Sequence, residues 1–341
     1  MSPIYGQDHL LRELNSALTE SRLAHAYLLV GPTHIGKMSL AIHLAQTINC
    51  LKKVDSGPCQ ECTPCKKISN AEHPDVRIEN IAQPDDEPSR TRIRRQAILE
   101  IIHSVQMTPY ESSHRIIIFD GAESLSGVAA NTLLKTLEEP PDNVIFLLLT
   151  DRENLVLPTI RSRCRKLQLR LIPKLEISNY LMGQHAIEPE LAEQLGRLSK
   201  GCLGWAINAI TDEDTLTSRI NHTKAIYETS KATLQTRFDY ASDIAEAYRK
   251  NRVEAKNVLF IWQIWWRDLL LVKIGTESFI TNLDYISDLR LHASGLTQTE
   301  IINFLKGLED TINHLDRNVN ARLAMDVLML NLPVSNHLPV S

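Results

Sequence analysis

The stretch that most limits what this chain can fold into is Ala26-Tyr27-Leu28-Leu29-Val30-Gly31-Pro32-Thr33-His34-Ile35-Gly36-Lys37-Met38. An apolar run suited to a buried strand enters a loop punctuated by Gly31 and Gly36, and helical periodicity follows from Lys37 through Ile48. This is the layout of a phosphate-binding loop. Its glycines let successive backbone N–H groups face an anion, and the helix N-terminus and the Lys37 ammonium add positive charge. The spacing Gly-x4-Gly-Lys is met, but the next position, where Ser or Thr would hold Mg²⁺, is Met38, whose thioether has little affinity for a hard cation.

Two further apolar runs, Ile116 to Phe119 and Val144 to Thr150, are each followed by helical sequence, which predicts a parallel sheet covered on both faces. Asp75 to Ile81 and Lys166 to Leu169 read as two more strands. The Ile116 run ends in Asp120, the place from which P-loop proteins hold Mg²⁺ through water, and where a plain turn-forming Asp is the alternative. The carboxylate that would activate water should follow at once, and that position is Gly121. Glu123, two residues on, is expected to face elsewhere.

Cys50, Cys59, Cys62 and Cys65 form the spacing Cys-x8-Cys-x2-Cys-x2-Cys, with Gly57, Pro58 and Pro64 to turn the chain. Four thiolates in that arrangement close a tetrahedron around Zn²⁺, ahead of an iron–sulfur cluster or unligated cysteines. With no open coordination position the metal would be structural.

At 341 residues two or three domains are expected. A net charge of −4 argues against a polycation seeking nucleic acid, although Arg90, Arg92, Arg94 and Arg95, and then Arg161, Arg163, Arg165 and Lys166, make local basic runs. No apolar stretch approaches the roughly 18 residues that cross a bilayer, and a cytoplasmic protein is expected. Pro173 marks a domain boundary, beyond which only helical patterns are visible, at about 174–183, 188–199, 202–211, 215–232, 238–273 with an interruption, and 298–331. Trp262, Trp265 and Trp266 fall on one of these as helix-packing residues.

In combination these stretches resemble the clamp-loader branch of the AAA+ ATPases. The resemblance rests on Gly6-Gln7, on His25-Ala26-Tyr27-Leu28 entering the loop, on the four-cysteine module after its helix, on Asn131-Thr132-Leu133-Leu134-Lys135-Thr136-Leu137-Glu138-Glu139-Pro140-Pro141, and on Ser162-Arg163-Cys164. It implies an α/β, RecA-like AAA+ module over 1–172 with the zinc module at 50–65, a helical lid over 173–212 and an all-α collar for oligomerisation over 213–341. It assigns Arg163 as an arginine finger acting in trans on ATP held by a neighbouring subunit. The departures are Met38, Asp120-Gly121 and Gly204, where motor subunits carry the metal-binding hydroxyl, an Asp-Glu pair and a phosphate-sensing Arg. The expectation is therefore a non-hydrolysing subunit of the replicative DNA polymerase holoenzyme, binding ATP or ADP weakly at most through Gly31, Gly36, Lys37 and Asp120. Its implied partners are the other subunits of a hetero-oligomeric ring and, through the ring, the sliding clamp and primer-template DNA. An ATP-hydrolysing motor of the same fold and a zinc-dependent nucleic-acid binder with a vestigial loop are the rival readings.

Overall fold

The computed structural model describes residues 4–52, 57–81, 100, 101, 105, 107–125, 127–317 and 319–334. The chain divides into two compact units, Met1–Ala206 and Ile207–Ser341. The basic run Arg90, Arg92, Arg94 and Arg95 lies outside the described residues.

The first unit is built on a five-stranded parallel sheet in the order β2-β3-β4-β1-β5, with β1 Ala26–Val30, β2 Val76–Asn80, β3 Arg115–Asp120, β4 Val144–Thr150 and β5 Arg165–Gln168. The apolar runs are buried on both faces because alternate side chains enter two separate cores. Tyr27, Leu29, Ile116, Ile118, Leu147 and Leu149 pack with helices α1 (Asp8–Thr19) and α2 (Lys37–Asn49) and with Ile68 of α3 (Thr63–Ser69). Leu28, Val30, Ile117, Phe119, Phe146 and Leu148 pack instead with Ala130, Leu133 and Leu137 of α4 (Gly127–Glu138) and Ile160 of α5 (Pro158–Arg161). The order matters for function: β1 lies between β4 and β5, so the connections from β1 and from β4 cross the sheet in opposite directions. Ligands of open α/β sheets bind at such a switch, beyond the carboxyl ends of the strands.

Three helices follow Pro173: α6 (Lys174–His185), α7 (Pro189–Leu198) and α8 (Leu203–Thr211). Gly196 lets α6 and α7 cross closely, since a Cβ there would sit 2.4 Å from Ser178 Oγ.

The second unit contains helices α9 (Glu213–Lys231), α10 (Leu234–Lys250), α11 (Arg252–Lys273), α12 (Ile286–Ser294), α13 (Gln298–Asp316) and α14 (Ala321–Leu330). The interruption expected within 238–273 is at Asn251, whose side chain accepts from Glu254 N to cap α11. The pattern read over 298–331 is broken between α13 and α14, and the short α12 was not foreseen. Trp262, Trp265 and Trp266 are fully buried and form the centre of this unit. Trp265 Nε1 donates to Nδ1 of the buried His292 at 3.3 Å, and burial holds that imidazole down to about 4, so it is neutral at physiological pH.

Candidate functional site

The phosphate loop connects β1 to α2, and Gly36 takes φ +105 there, a left-handed conformation that only glycine adopts without strain. The Lys37 ammonium does not project into an open cradle. It donates to the carbonyl oxygens of Gly31 at 2.7 Å and Pro32 at 3.1 Å, inside its own loop. Burial lowers its pKa, opposed by the negative charges of Asp151, Asp120 and Glu123. Asp120, at the carboxyl end of β3, is shifted the other way: burial raises it, while Lys37 pulls it down. For both groups desolvation outweighs mutual attraction. Met38 packs against the apolar core below the loop. A thioether committed to that contact is no substitute for a metal-binding hydroxyl.

Glu123 does not face elsewhere, contrary to expectation. A short 3-10 turn over Ala122–Ser124 brings its carboxylate to the end of β4, where Thr150 Oγ1 donates to Oε2 at 2.6 Å. Burial raises its pKa, an effect partly offset by that hydrogen bond. The loop thus holds one ammonium among three carboxylates, a poor field for a polyphosphate.

Backbone also packs against the loop at His34. Gly204, in the first turn of α8, donates its N–H to the His34 carbonyl at 3.0 Å. A Cβ at Gly204 would lie 2.6 Å from that oxygen. The first turn of α8 thus meets the loop at His34 so closely that no side chain fits at Gly204.

The four cysteine Sγ atoms lie within 4.8 Å of one another, Cys50 and Cys62 at 4.0 Å. Tetrahedral coordination with bonds of about 2.3 Å requires sulfurs about 3.8 Å apart, so the thiolates fit a zinc ion with a small contraction. The geometry comes from two sources: the turn at Gly57, with φ +125, and α3, which begins immediately after Cys62 and carries Cys65. Backbone N–H groups of Cys59 and Cys62 donate to Cys50 Sγ and Cys59 Sγ, each at 3.4 Å. The Cys62 N–H is the main cause that brings the Cys59 thiol down to about 6, whereas burial pushes the Cys50 and Cys65 thiols up, so a bound metal would have to displace their protons. Gln46 of α2 donates to the Cys65 carbonyl at 2.8 Å, which ties the module to the sheet domain.

Arg163 stands just beyond α5, far in sequence from the loop. Its side chain is 34% exposed. Nη1 donates to the Thr159 carbonyl at 3.0 Å, and Nη2 donates to Glu138 Oε1 at 2.5 Å. The next residue, Cys164, packs against the same apolar core as Leu137, so both ends of this ion pair stand on buried neighbours. Arg165 and Lys166 pair with Glu13 and Glu153. The basic run at 161–166 is therefore largely neutralised from other elements. Sequence reasoning named Gly31, Gly36, Lys37, Asp120, Arg163 and the cysteines. It missed Glu123, Glu138 and Thr150, whose roles depend on which strand end or helix end each one reaches.

Residues 6–173 match the family model described as DNA polymerase III, delta subunit. The chain is 28% identical over 326 residues to DNA polymerase III subunit delta' of Bacillus subtilis strain 168, covering 96% of each chain. It is 36% identical over 169 residues to DNA polymerase III subunit tau of the same organism, but that match takes in 50% of this chain and 29% of the relative. Among solved structures, a gamma subunit-related protein of Thermotoga maritima aligns over 93% of this chain and 97% of its own, at 15% identity and a TM-score of 0.42, a likeness too loose to carry an inference. The delta' likeness takes in nearly the whole chain, whereas the tau likeness takes in half of it. The chain belongs to the delta' family of DNA polymerase III clamp-loader subunits.

Proposed function

We propose that this chain is the non-hydrolysing member of a clamp-loader ring. In this reading the RecA-like module over 1–172 lends Arg163 to ATP held by a neighbouring subunit, the helices over 173–212 act as a lid on its own disused loop, and the helical region over 213–341 is the collar through which the ring assembles. It serves the replicative DNA polymerase III holoenzyme in the cytoplasm and reaches the sliding clamp and primed DNA through the ring. The observation that carries the reading is the docking of Gly204 on His34: the position of the phosphate-sensing arginine is filled by backbone contact. Phosphoryl transfer is accelerated almost wholly by positioning and charge, and here the loop lysine is committed to its own carbonyls, the metal hydroxyl is replaced and the sensing cation is absent.

The thiolate cluster is read as a structural zinc site. Metal analysis should find one zinc per chain, and Cys62→Ser should release it while loosening the segment that ends in α3. Iron in place of zinc, or no metal in protein purified without chelator, would refute this.

The function is tested by the DNA-stimulated ATPase rate of the reconstituted loader. Arg163→Ala should lower turnover at one interface by about 10³-fold, the order an arginine finger contributes, whereas Lys37→Ala should leave the assembled rate nearly unchanged. The opposite pattern would make this chain a motor.

A further inference from the structure

We infer that Glu138 is the positioning residue for Arg163, holding its guanidinium presented at the surface before any phosphate arrives; the inference rests on the reading of Arg163 as a finger. Glu138 is the last residue of α4. A carboxylate there faces the negative end of the helix dipole, beside the like charge of Glu139, and is locally unfavourable. Such a rule-breaking placement needs a compensating partner, and the one it has is Arg163 Nη2 at 2.5 Å.

The pair stands on buried neighbours. Leu137 immediately before Glu138 is 2% exposed, and Cys164 immediately after Arg163 packs into the same core, with burial holding its thiol up to about 12. Arg163 N also donates to the Ile160 carbonyl at 3.0 Å, fixing the backbone at the end of α5. With Nη1 on Thr159 O and Nη2 on Glu138, both terminal nitrogens of the guanidinium are oriented by groups from two elements. A long side chain with free rotamers must be ordered when it meets phosphate, and ordering it beforehand removes that cost from the catalytic step. The carboxylate is 51% exposed, so solvent screens its charge and the arginine keeps its attraction for an incoming γ-phosphate.

The test uses the reconstituted loader carrying Glu138→Ala, Glu138→Gln, Arg163→Ala or the Glu138→Ala/Arg163→Ala pair, with kcat and KM for ATP measured in the presence of primed DNA. Glu138→Ala should lower kcat at the affected interface about fivefold to tenfold with KM changed less than about twofold, since only the orientation of a transition-state group is lost. Glu138→Gln keeps an oxygen to accept from Nη2 and should retain at least about half of the wild-type rate. In the Arg163→Ala background, Glu138→Ala should cost nothing further. Thermal unfolding of the isolated variants should match wild type, because an exposed pair contributes little to stability. If Arg163→Ala lowers turnover but Glu138→Ala leaves it intact, raises it, or costs as much in the Arg163→Ala background, the positioning inference is overturned and the finger stands. If Arg163→Ala itself changes nothing, the finger reading fails and this inference fails with it.

Discussion

Lys37 and Arg163 are both cations expected to meet nucleotide phosphate, and the fold treats them in opposite ways. Lys37 is turned inward, bonded to the carbonyls of its own loop and surrounded by Asp120, Glu123 and Asp151. Arg163 stands just beyond a short helix, its side chain half-buried and held at both terminal nitrogens. A phosphate reaching Lys37 would have to displace backbone contacts and enter a field of carboxylates; one reaching Arg163 would meet a guanidinium already oriented by Thr159 and Glu138. Where a cation's hydrogen bonds are aimed says more about its use than the motif it belongs to.

The most severe way to break the contrast is to put a large side chain where α8 meets the loop. Gly204→Arg places a Cβ 2.6 Å from the His34 carbonyl oxygen. It should destabilise the first unit by about 3 kcal/mol in denaturant unfolding, within the range of overpacking at a closed contact. Gly183→Ala on α6, where a Cβ meets nothing within 4 Å, should be neutral or slightly stabilising through helix propensity. Equal stability of the two variants would mean that α8 is not seated on the loop.

A smaller difference separates the two cations themselves. Lys37→Met should cost about 1–2 kcal/mol, because it leaves two loop carbonyls without their donor and three carboxylates without their counter-charge. Arg163→Met, which removes one exposed pair, should stay within about 0.5 kcal/mol of wild type. The same unfolding measurement reads both, and a larger loss for Arg163→Met would reverse the assignment of inward and outward roles.

What could be read from the chain follows from how local each feature is. The parallel sheet was legible because runs such as Val144 to Leu149 are apolar at every position, the pattern of a strand buried on both faces. The thiolate cluster was legible because its ligands fall within sixteen residues and the turns between them are written in Gly57, Pro58 and Pro64. Helix boundaries in the second unit were only partly legible: α12 is nine residues long and weakly periodic, and the break between α13 and α14 is set by the Asn320 cap rather than by a glycine or proline.

The phosphate loop shows the limit. The sequence by itself determined that it is incomplete, since Met38, Gly121 and Gly204 are fixed by their spacing from Gly31, Asp120 and the start of α8. Only the tertiary structure decided what surrounds it. Lys37 bonds the carbonyls of its own loop, carboxylates near the ends of β3 and β4 act on its charge, and the first turn of a helix more than 160 residues downstream bonds His34. Such convergence depends on strand order, β1 lying between β4 and β5, and no local periodicity encodes which distant segment will arrive there. The same holds for Glu138 and Arg163, separated by 25 residues and joined because α4 and α5 bury their apolar faces in one core.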